Sequence, residues 1–276
     1  MDTFGLQRGA EILLRDLVHE RAGLYFDDGK LQAFSDKLAP LVIERGFDSF
    51  LDYYYLLKFD TESATEWDRV SNALSVQETY FWREFDQIEA LARSVMPFLA
   101  AERKGQPIRI WSAACATGEE PLSIAMRLNE DGWFERARIE IAASDMSGLA
   151  LERARAGTYR DRSFRALPTH LKEKYFEAEG KEWRIKKTIH EKVAWHKVNL
   201  LAVSEAQHLA VASVIFCRNV FIYFSADSIK KVVDSFAEKM VLPAFLFTGT
   251  SESLLRVTDD FELEEIDGCF VYVKRR

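Results

Sequence analysis

Four short stretches of this chain carry residue types that could do chemistry. The first is Arg109-Ile-Trp-Ser-Ala-Ala-Cys-Ala-Thr-Gly-Glu-Glu-Pro121. An apolar strand runs into small residues, turns at Thr117-Gly118 and restarts as a helix with Glu119 and Glu120 in its first turn. Doubly wound α/β domains cradle nucleotide-like cofactors in this way. Acidic residues at the helix start suit a ligand with cationic or hydroxyl groups rather than a bare pyrophosphate. Ala114 and Ala116 stand where glycines would be comfortable, so the glycine pattern alone reads equally as a tight packing turn. The second stretch is Ile141-Ala-Ala-Ser-Asp145. An Asp at the carboxyl end of the next strand overlooks the ligand crevice and can accept both hydroxyls of a ribose; it can also be a plain helix N-cap. The third is Phe216-Cys-Arg-Asn-Val-Phe-Ile-Tyr-Phe224, a buried strand ending in Arg218 and Asn219 with Tyr223 within reach. The fourth is Gln77-Glu-Thr-Tyr-Phe-Trp-Arg-Glu84. Its three aromatics read either as a staple between domains or as a gate over the crevice, with Arg83 offering a guanidinium to a carboxylate.

The elements that must position these residues fall into two halves. Residues 1–100 read as helical, with apolar stripes at Ile12–Leu24, Leu31–Val42 and Phe47–Leu57, the last with Asp48 as N-cap. Further helices are expected over Thr65–Leu74 and Phe85–Arg103, and Lys104-Gly-Gln-Pro is a turn. From Ile108 strands alternate with helices, which predicts a mainly parallel sheet covered on both faces. Strands are expected at 108–112, 139–144, 193–198, 213–217, 244–248 and 269–274. Residues 158–192 break the rhythm and read as a small antiparallel insert, with Lys174-Tyr-Phe-Glu pairing Glu182-Trp-Arg-Ile. The expected organisation is a helical domain at 1–75, a linker and connecting helix at 76–107, and an α/β domain at 108–276.

Composition narrows the class. The net charge of −7 argues against a nucleic-acid backbone as the main partner. Cys115, Cys217 and Cys269 fit neither a disulfide framework nor a zinc spacing, and the five histidines show no metal-ligand spacing, so no metal is expected. A reducing cytoplasm, no membrane insertion and a monomer are the corresponding expectations.

Taken together, the four stretches resemble the bacterial chemotaxis receptor glutamate O-methyltransferase family (CheR). Arg-Ala-Gly-Thr-Tyr-Arg at 155–160, Val-Asn-Leu-Leu at 198–201 and Gly-Thr-Ser-Glu at 249–252 extend the resemblance over most of the chain. It implies an N-terminal all-helical domain and a doubly wound class I S-adenosylmethionine methyltransferase domain with a small inserted β-subdomain. It implies S-adenosyl-L-methionine as methyl donor, S-adenosyl-L-homocysteine as product, and the cytoplasmic helical bundle of methyl-accepting receptors as partner. Residue by residue, it places Arg83, Thr79 and Tyr223 at the active site. It places Glu119 on the methionine amino group, Asp145 on the ribose, Asn199 and Leu200 beside the adenine, and Arg218 with Asn219 along the cofactor pocket. Gln77 and Ala114 complete the cofactor set; many members carry Asn and Gly there. Leu122 replaces a common Tyr, and Thr250 a common His.

The implied reaction is coherent physically. A glutamate is already an anion at pH 7, so it needs no general base to attack a sulfonium methyl group, only in-line placement. Two features bear on docking. The second helix, strongly basic in many members, here sets Lys30, Lys37 and Arg45 against Asp36 and Glu44. Docking is therefore expected to be less salt-sensitive than a basic helix would make it. The hairpin near Ala178-Glu-Gly-Lys is short, so no tight tether to a receptor's C-terminal pentapeptide is expected. Two other readings stand beside the enzyme: a methyltransferase-like module that binds the cofactor and signals without chemistry, and methylation of a nucleic acid or amine. The latter usually calls for an Asn/Asp-Pro-Pro-aromatic loop, where this chain has Arg218-Asn-Val-Phe.

Overall fold

The computed structural model describes residues 3–61 and 63–275. The helical half comprises α1 (Thr3–Ala22), α2 (Leu31–Glu44), α3 (Phe50–Phe59) and α4 (Ser63–Leu74). Leu14, Val18, Phe34, Leu38, Tyr53 and Val70 form its core, as the helical stripes require. Ser49, not Asp48, caps α3: it is extended and its hydroxyl accepts the Asp52 N–H. The helix starts at Phe50, and an N-cap must directly precede the first helical residue.

The connector follows the predicted path with one interruption. Between α5 (Phe85–Ala90) and α6 (Met96–Arg103) lies a π turn at Leu91–Val95. Pro97 sits in the first turn of α6 and has no N–H for a carbonyl four residues back, which accounts for the local widening.

The α/β half then runs β1 (Ile108–Ala113), α7 (Glu119–Glu130), α8 (Trp133–Arg136), β2 (Ile139–Asp145), α9 (Gly148–Ala156) and β3 (Thr158–Tyr159). It continues with α10 (Thr169–Tyr175), β4 (Phe176–Glu179), β5 (Glu182–Ile185), α11 (Lys187–His190), β6 (Val193–Lys197) and α12 (Val203–Ala210). It closes with β7 (Val214–Cys217), α13 (Ala226–Lys239), β8 (Ala244–Thr248), β9 (Glu262–Ile266) and β10 (Cys269–Lys274). The main sheet has the order β6-β2-β1-β7-β8-β10-β9, with β10 alone reversed and antiparallel to both of its neighbours. Ala113 pairs with Ser144 on one side and Cys217 on the other, so three strand ends meet at one level. Chain order reverses there, between β1 and β7, and this opens a crevice above the carboxyl edge.

β9 escaped the sequence reading because Glu262-Leu-Glu-Glu-Ile has too few apolar residues for a buried strand; it is an edge strand held by β10. The insert is the expected antiparallel piece, ordered β3-β5-β4, and a two-residue turn, Gly180-Lys181, joins β4 to β5. The partner of β5 starts at Phe176 rather than Lys174, since Lys174 and Tyr175 end α10. Phe81 from the connector packs against Tyr159, Phe164 and Phe176 with ring centroids 4.8, 5.3 and 5.0 Å away. Phe81 and Trp82 therefore act as a staple.

The two halves meet beside the crevice. Leu24 bridges Phe224, and the Tyr25 N–H donates to the Tyr223 carbonyl at 2.8 Å. On α4, the Asn72 side-chain oxygen accepts the Ser147 hydroxyl at 2.7 Å and the Leu149 N–H at 3.2 Å.

Candidate cofactor and acceptor site

The loop after β1 shows why small residues were needed. Ala114 (φ 56°), Ala116 (φ 49°) and Gly118 (φ 93°) are all left-handed. Alanine tolerates this at a cost of about 1 kcal/mol. Gly118 has a second reason: a Cβ there would lie 2.7 Å from the Trp195 ring. The crevice over this loop has two lobes, which share Val76, Ala114, Ala116 and Asn219.

The larger lobe spans about 680 Å³, the open solvent at its mouth included. Leu74, Val76, Val198 and Leu200 supply apolar walls, Asp145 a carboxylate, and Tyr223 a phenol. Leu24, Leu74 and Gln77 come from the helical half and connector, so the lobe is walled by both halves. Asp145 is 9% exposed and accepts the N–H groups of Ala116 (2.9 Å) and Ser147 (2.8 Å). Burial pushes its carboxyl above the ordinary range, and the backbone donors only partly oppose this. With the Met146 N–H also acting on it, the carboxylate keeps acceptor capacity for a ligand hydroxyl. Asn199 lines this lobe too, but its amide is already used: it donates to the Arg21 carbonyl at 2.7 Å and accepts from the Leu201 N–H.

The smaller lobe, about 420 Å³, is polar and is lined by Thr79, Arg83, Glu120, Arg218 and Asn219. Glu119 lines neither lobe, contrary to expectation. Its carboxylate is 2% exposed and accepts the hydroxyls of Ser163 (2.9 Å) and Thr117 (2.6 Å). Burial raises its pKa against these bonds. Successive residues of a helix point about 100° apart, so the neighbour Glu120 takes the crevice side. Glu120 accepts from the Ser112 hydroxyl and from Arg218 Nε, both at 2.6 Å.

Arg218 lines the lobe, yet its guanidinium is spent on protein. Besides Glu120 it donates to the carbonyls of Arg83 (2.8 Å) and Glu84 (3.0 Å) and to Gln87 Oε1 (3.0 Å). It thereby braces a turn in which Trp82 and Glu84 are left-handed, and so fixes Arg83. By contrast Arg83 makes a single hydrogen bond, to the Glu78 carbonyl at 2.7 Å, and no ion pair among the described residues. The hydroxyls of Thr79 and Tyr223 have no partner among the described residues either. Burial raises the Tyr223 pKa, keeping the phenol a donor. Gln77 meets Arg153 at 3.2 Å and Ser147 at 3.5 Å.

Comparison with known proteins matches this architecture in both halves. Residues 12–75 match the all-alpha domain of CheR methyltransferase, and residues 77–270 its SAM-binding domain. The chain belongs to the CheR methyltransferase family. It is 36% identical to chemotaxis protein methyltransferase 2 of Vibrio cholerae over 94% of this chain and 91% of that one. It is 30% identical to chemotaxis protein methyltransferase 1 of Pseudomonas aeruginosa, over 94% and 96%. With the Salmonella typhimurium chemotaxis protein methyltransferase the identity is 32%, over 90% and 84%. The fold is thus that of a class I S-adenosylmethionine methyltransferase carrying a CheR helical domain.

The two lobes fit that cofactor: a mainly apolar cradle with one acidic acceptor for a nucleoside, and a polar pocket of mixed charge for an amino-acid tail. Among the described residues no cluster of three or more His, Cys, Asp or Glu could hold a metal, and no helix is long and apolar enough to cross a membrane. Sequence reasoning in this CheR protein missed two acids. One is Glu120. The other is Glu252, of the Gly-Thr-Ser-Glu motif, which accepts the N–H groups of Asn219 (2.7 Å), Gly249 (2.7 Å) and Ile222 (3.3 Å). It pins the left-handed Asn219 and the turn that carries Tyr223. The signal for it was available: a carboxylate just past a buried strand end.

Proposed function

We propose that this protein transfers the methyl group of S-adenosylmethionine to glutamate side chains on the helical cytoplasmic bundle of chemotaxis receptors, acting as a monomer in the cytoplasm. The reading rests on one observation above others: Thr79, Arg83 and Tyr223 hold unspent donors around one crevice whose other polar groups are already paired.

The larger lobe takes the nucleoside. Asp145 accepts the ribose hydroxyls and Leu200, with the Asn199 backbone, flanks the adenine. In the smaller lobe Thr79 and Arg83 face the carboxylate of the amino-acid tail, and Glu120 faces its ammonium in the role first expected of Glu119. The bound cofactor supplies an electrophilic methyl group. The acceptor glutamate arrives as an anion and needs no base. Arg83 and Tyr223 orient it; a single donor from each leaves the attacking oxygen a free lone pair. Charged donors in a site partly shielded from water are stronger than in bulk. The two-residue Gly180-Lys181 turn supports action without a receptor pentapeptide tether.

The test is incubation with methyl-labelled cofactor and a soluble receptor fragment, followed by alkali. Carboxyl methyl esters release volatile methanol; N-methyl groups do not. Arg83→Ala should lower kcat/KM by about a hundredfold or more, since misplacing a reactant by about 1 Å costs that much. An unchanged rate removes Arg83 from the mechanism, and binding of cofactor without any turnover favours a regulatory module.

A further inference from the structure

The helical half is acidic and the insert is basic. Residues 1–75 hold 8 Lys and Arg against 14 Asp and Glu, whereas residues 158–192 hold 10 against 6. Positive charge is therefore displaced away from α2 and into the insert, which packs on the connector through Phe81.

Two of these cations lie near Glu78, a residue that lines the polar lobe. Arg165 pairs with Glu78, Nη2 to Oε1 at 2.6 Å, and its guanidinium lies 3.7 Å from the Tyr80 ring centroid. Arg83 lies 5.8 Å from the same ring, on the crevice side. Arg162 is exposed and makes no hydrogen bond or ion pair among the described residues. Its field, with those of Arg165 and Arg83, holds the Glu78 carboxyl below its ordinary pKa, the Arg165 hydrogen bond contributing most. The turn carrying Arg162 is rigid: the Phe81 N–H donates to the Ser163 carbonyl at 2.9 Å, and Phe164 stacks on Phe81. Arg165 thus grips the carboxylate of Glu78, which itself lines the polar lobe, Arg83 holds the same residue's carbonyl, and Arg162 adds its charge nearby.

We propose that Arg162 and Arg165 form a docking rim for the carboxylates that flank the acceptor on an acidic protein helix, with Glu78 as the internal carboxylate they displace. This rests on the function proposed above. On a helix, acids three or four residues from the acceptor lie on the same face, about 5–6 Å away. They would reach the rim as the acceptor enters the lobe. The Glu78–Arg165 pair is about half exposed on both sides and so is cheap to exchange. Arg165, stacked on Tyr80, is preorganised to take a carboxylate through two donors. The site thereby selects acceptors in acidic surroundings, and α2 need not be basic. This revises the expectation of weak salt sensitivity.

The experiment uses the full chain and two alanine-rich helical probe peptides. One carries a central glutamate with glutamates four residues before and three after; the other has glutamines at those flanks. Binding is read by fluorescence anisotropy and methylation by base-labile label. At low salt the acidic probe should bind the wild type about tenfold more tightly than the glutamine probe, two exposed pairs being worth roughly that. Arg162→Glu with Arg165→Glu should abolish the preference, while S-adenosylhomocysteine affinity stays within twofold, showing an intact fold. Glu78→Gln should tighten binding of the acidic probe severalfold, and high salt should erase the difference. Equal binding of both probes by the wild type, or a preference that survives the double substitution, overturns the rim. A preference with no methylation of either probe upholds the rim and counts against the methyltransferase reading. Equal methylation of both probes by all variants does the reverse.

Discussion

The two halves of this molecule bury carboxylates in opposite ways. In the helical half Glu66 is fully buried and surrounded by partners: Tyr53 donates at 2.7 Å, Arg45 Nε at 2.7 Å and Arg69 Nη1 at 3.2 Å. Burial alone would raise its pKa, but the phenol and the two guanidiniums outweigh it and the carboxyl sits below its ordinary value. In the α/β half Asp145, Glu119 and Glu252 have no cation within ion-pair distance among the described residues. Backbone N–H groups and hydroxyls hold them, and burial wins: all three are raised. Glu66 ties α2, α3 and α4 together and has nothing left to give a ligand. Asp145 and Glu252 hold the loop ends that shape the crevice, and Asp145 keeps lone pairs in reserve. At Glu66 paired charge fixes the fold; at Asp145 charge held by dipoles is left available for binding, at some expense in stability.

That contrast is broken most sharply by substituting the acids themselves. Asp145→Asn should cost about a hundredfold in S-adenosylhomocysteine affinity, because hydrogen bonds to a charged acceptor contribute about 1.5–3 kcal/mol each. The new amide also faces a backbone N–H with one of its own. Relief of buried charge offsets part of that loss in stability, so the melting temperature should move little. Calorimetry with a melt decides it; a threefold affinity change would remove Asp145 from the site. Glu66→Gln should do the opposite. It removes the charge that faces Arg45 and Arg69; Arg69 keeps Glu44 and both guanidiniums are about one third exposed, so the loss is smaller than for a fully buried pair: about 2 kcal/mol. Cofactor affinity should stay within twofold. A stable Glu66→Gln protein that bound cofactor poorly would erase the distinction between the halves.

Much of this was legible before any coordinates, for physical reasons that differ by region. The helical stripes and the buried runs Val214-Ile-Phe-Cys and Ala244-Phe-Leu-Phe announce their periods directly. The left-handed loop announced itself through small side chains at Ala114, Ala116 and Gly118. What stayed hidden depended on direction or on distant partners. Whether Glu119 or Glu120 faces the crevice is a matter of about 100° of helix rotation, which one extra residue in the turn would reverse. That Arg218 braces the Arg83 turn rather than meeting a ligand depends on a contact across more than a hundred residues. β9 owes its place to β10, not to its own composition.

Acidification should separate the two halves by a smaller margin, and the sign differs between them. A buried acid with a raised pKa binds its proton more tightly folded than unfolded, so protonation relieves a burial cost. As pH falls through the raised values of Asp145, Glu119 and Glu252, the α/β half gains stability slightly, while Asp145 loses capacity to accept ligand hydroxyls. Glu66 behaves in reverse: its contribution is complete above the ordinary carboxylate value near 4.5 and disappears as pH falls through its lower folded value. Cofactor affinity should therefore weaken first, with the fold intact, and thermal stability should drop only at lower pH, by roughly 1 kcal/mol for this group. Parallel S-adenosylhomocysteine titrations and melts, carried from pH 7 to about 2 so that the window of Glu66 is included, test the order. If stability fell before affinity, the carboxylates of the crevice would be held as firmly as Glu66, and backbone N–H groups would be doing for them what guanidiniums do in the helical half.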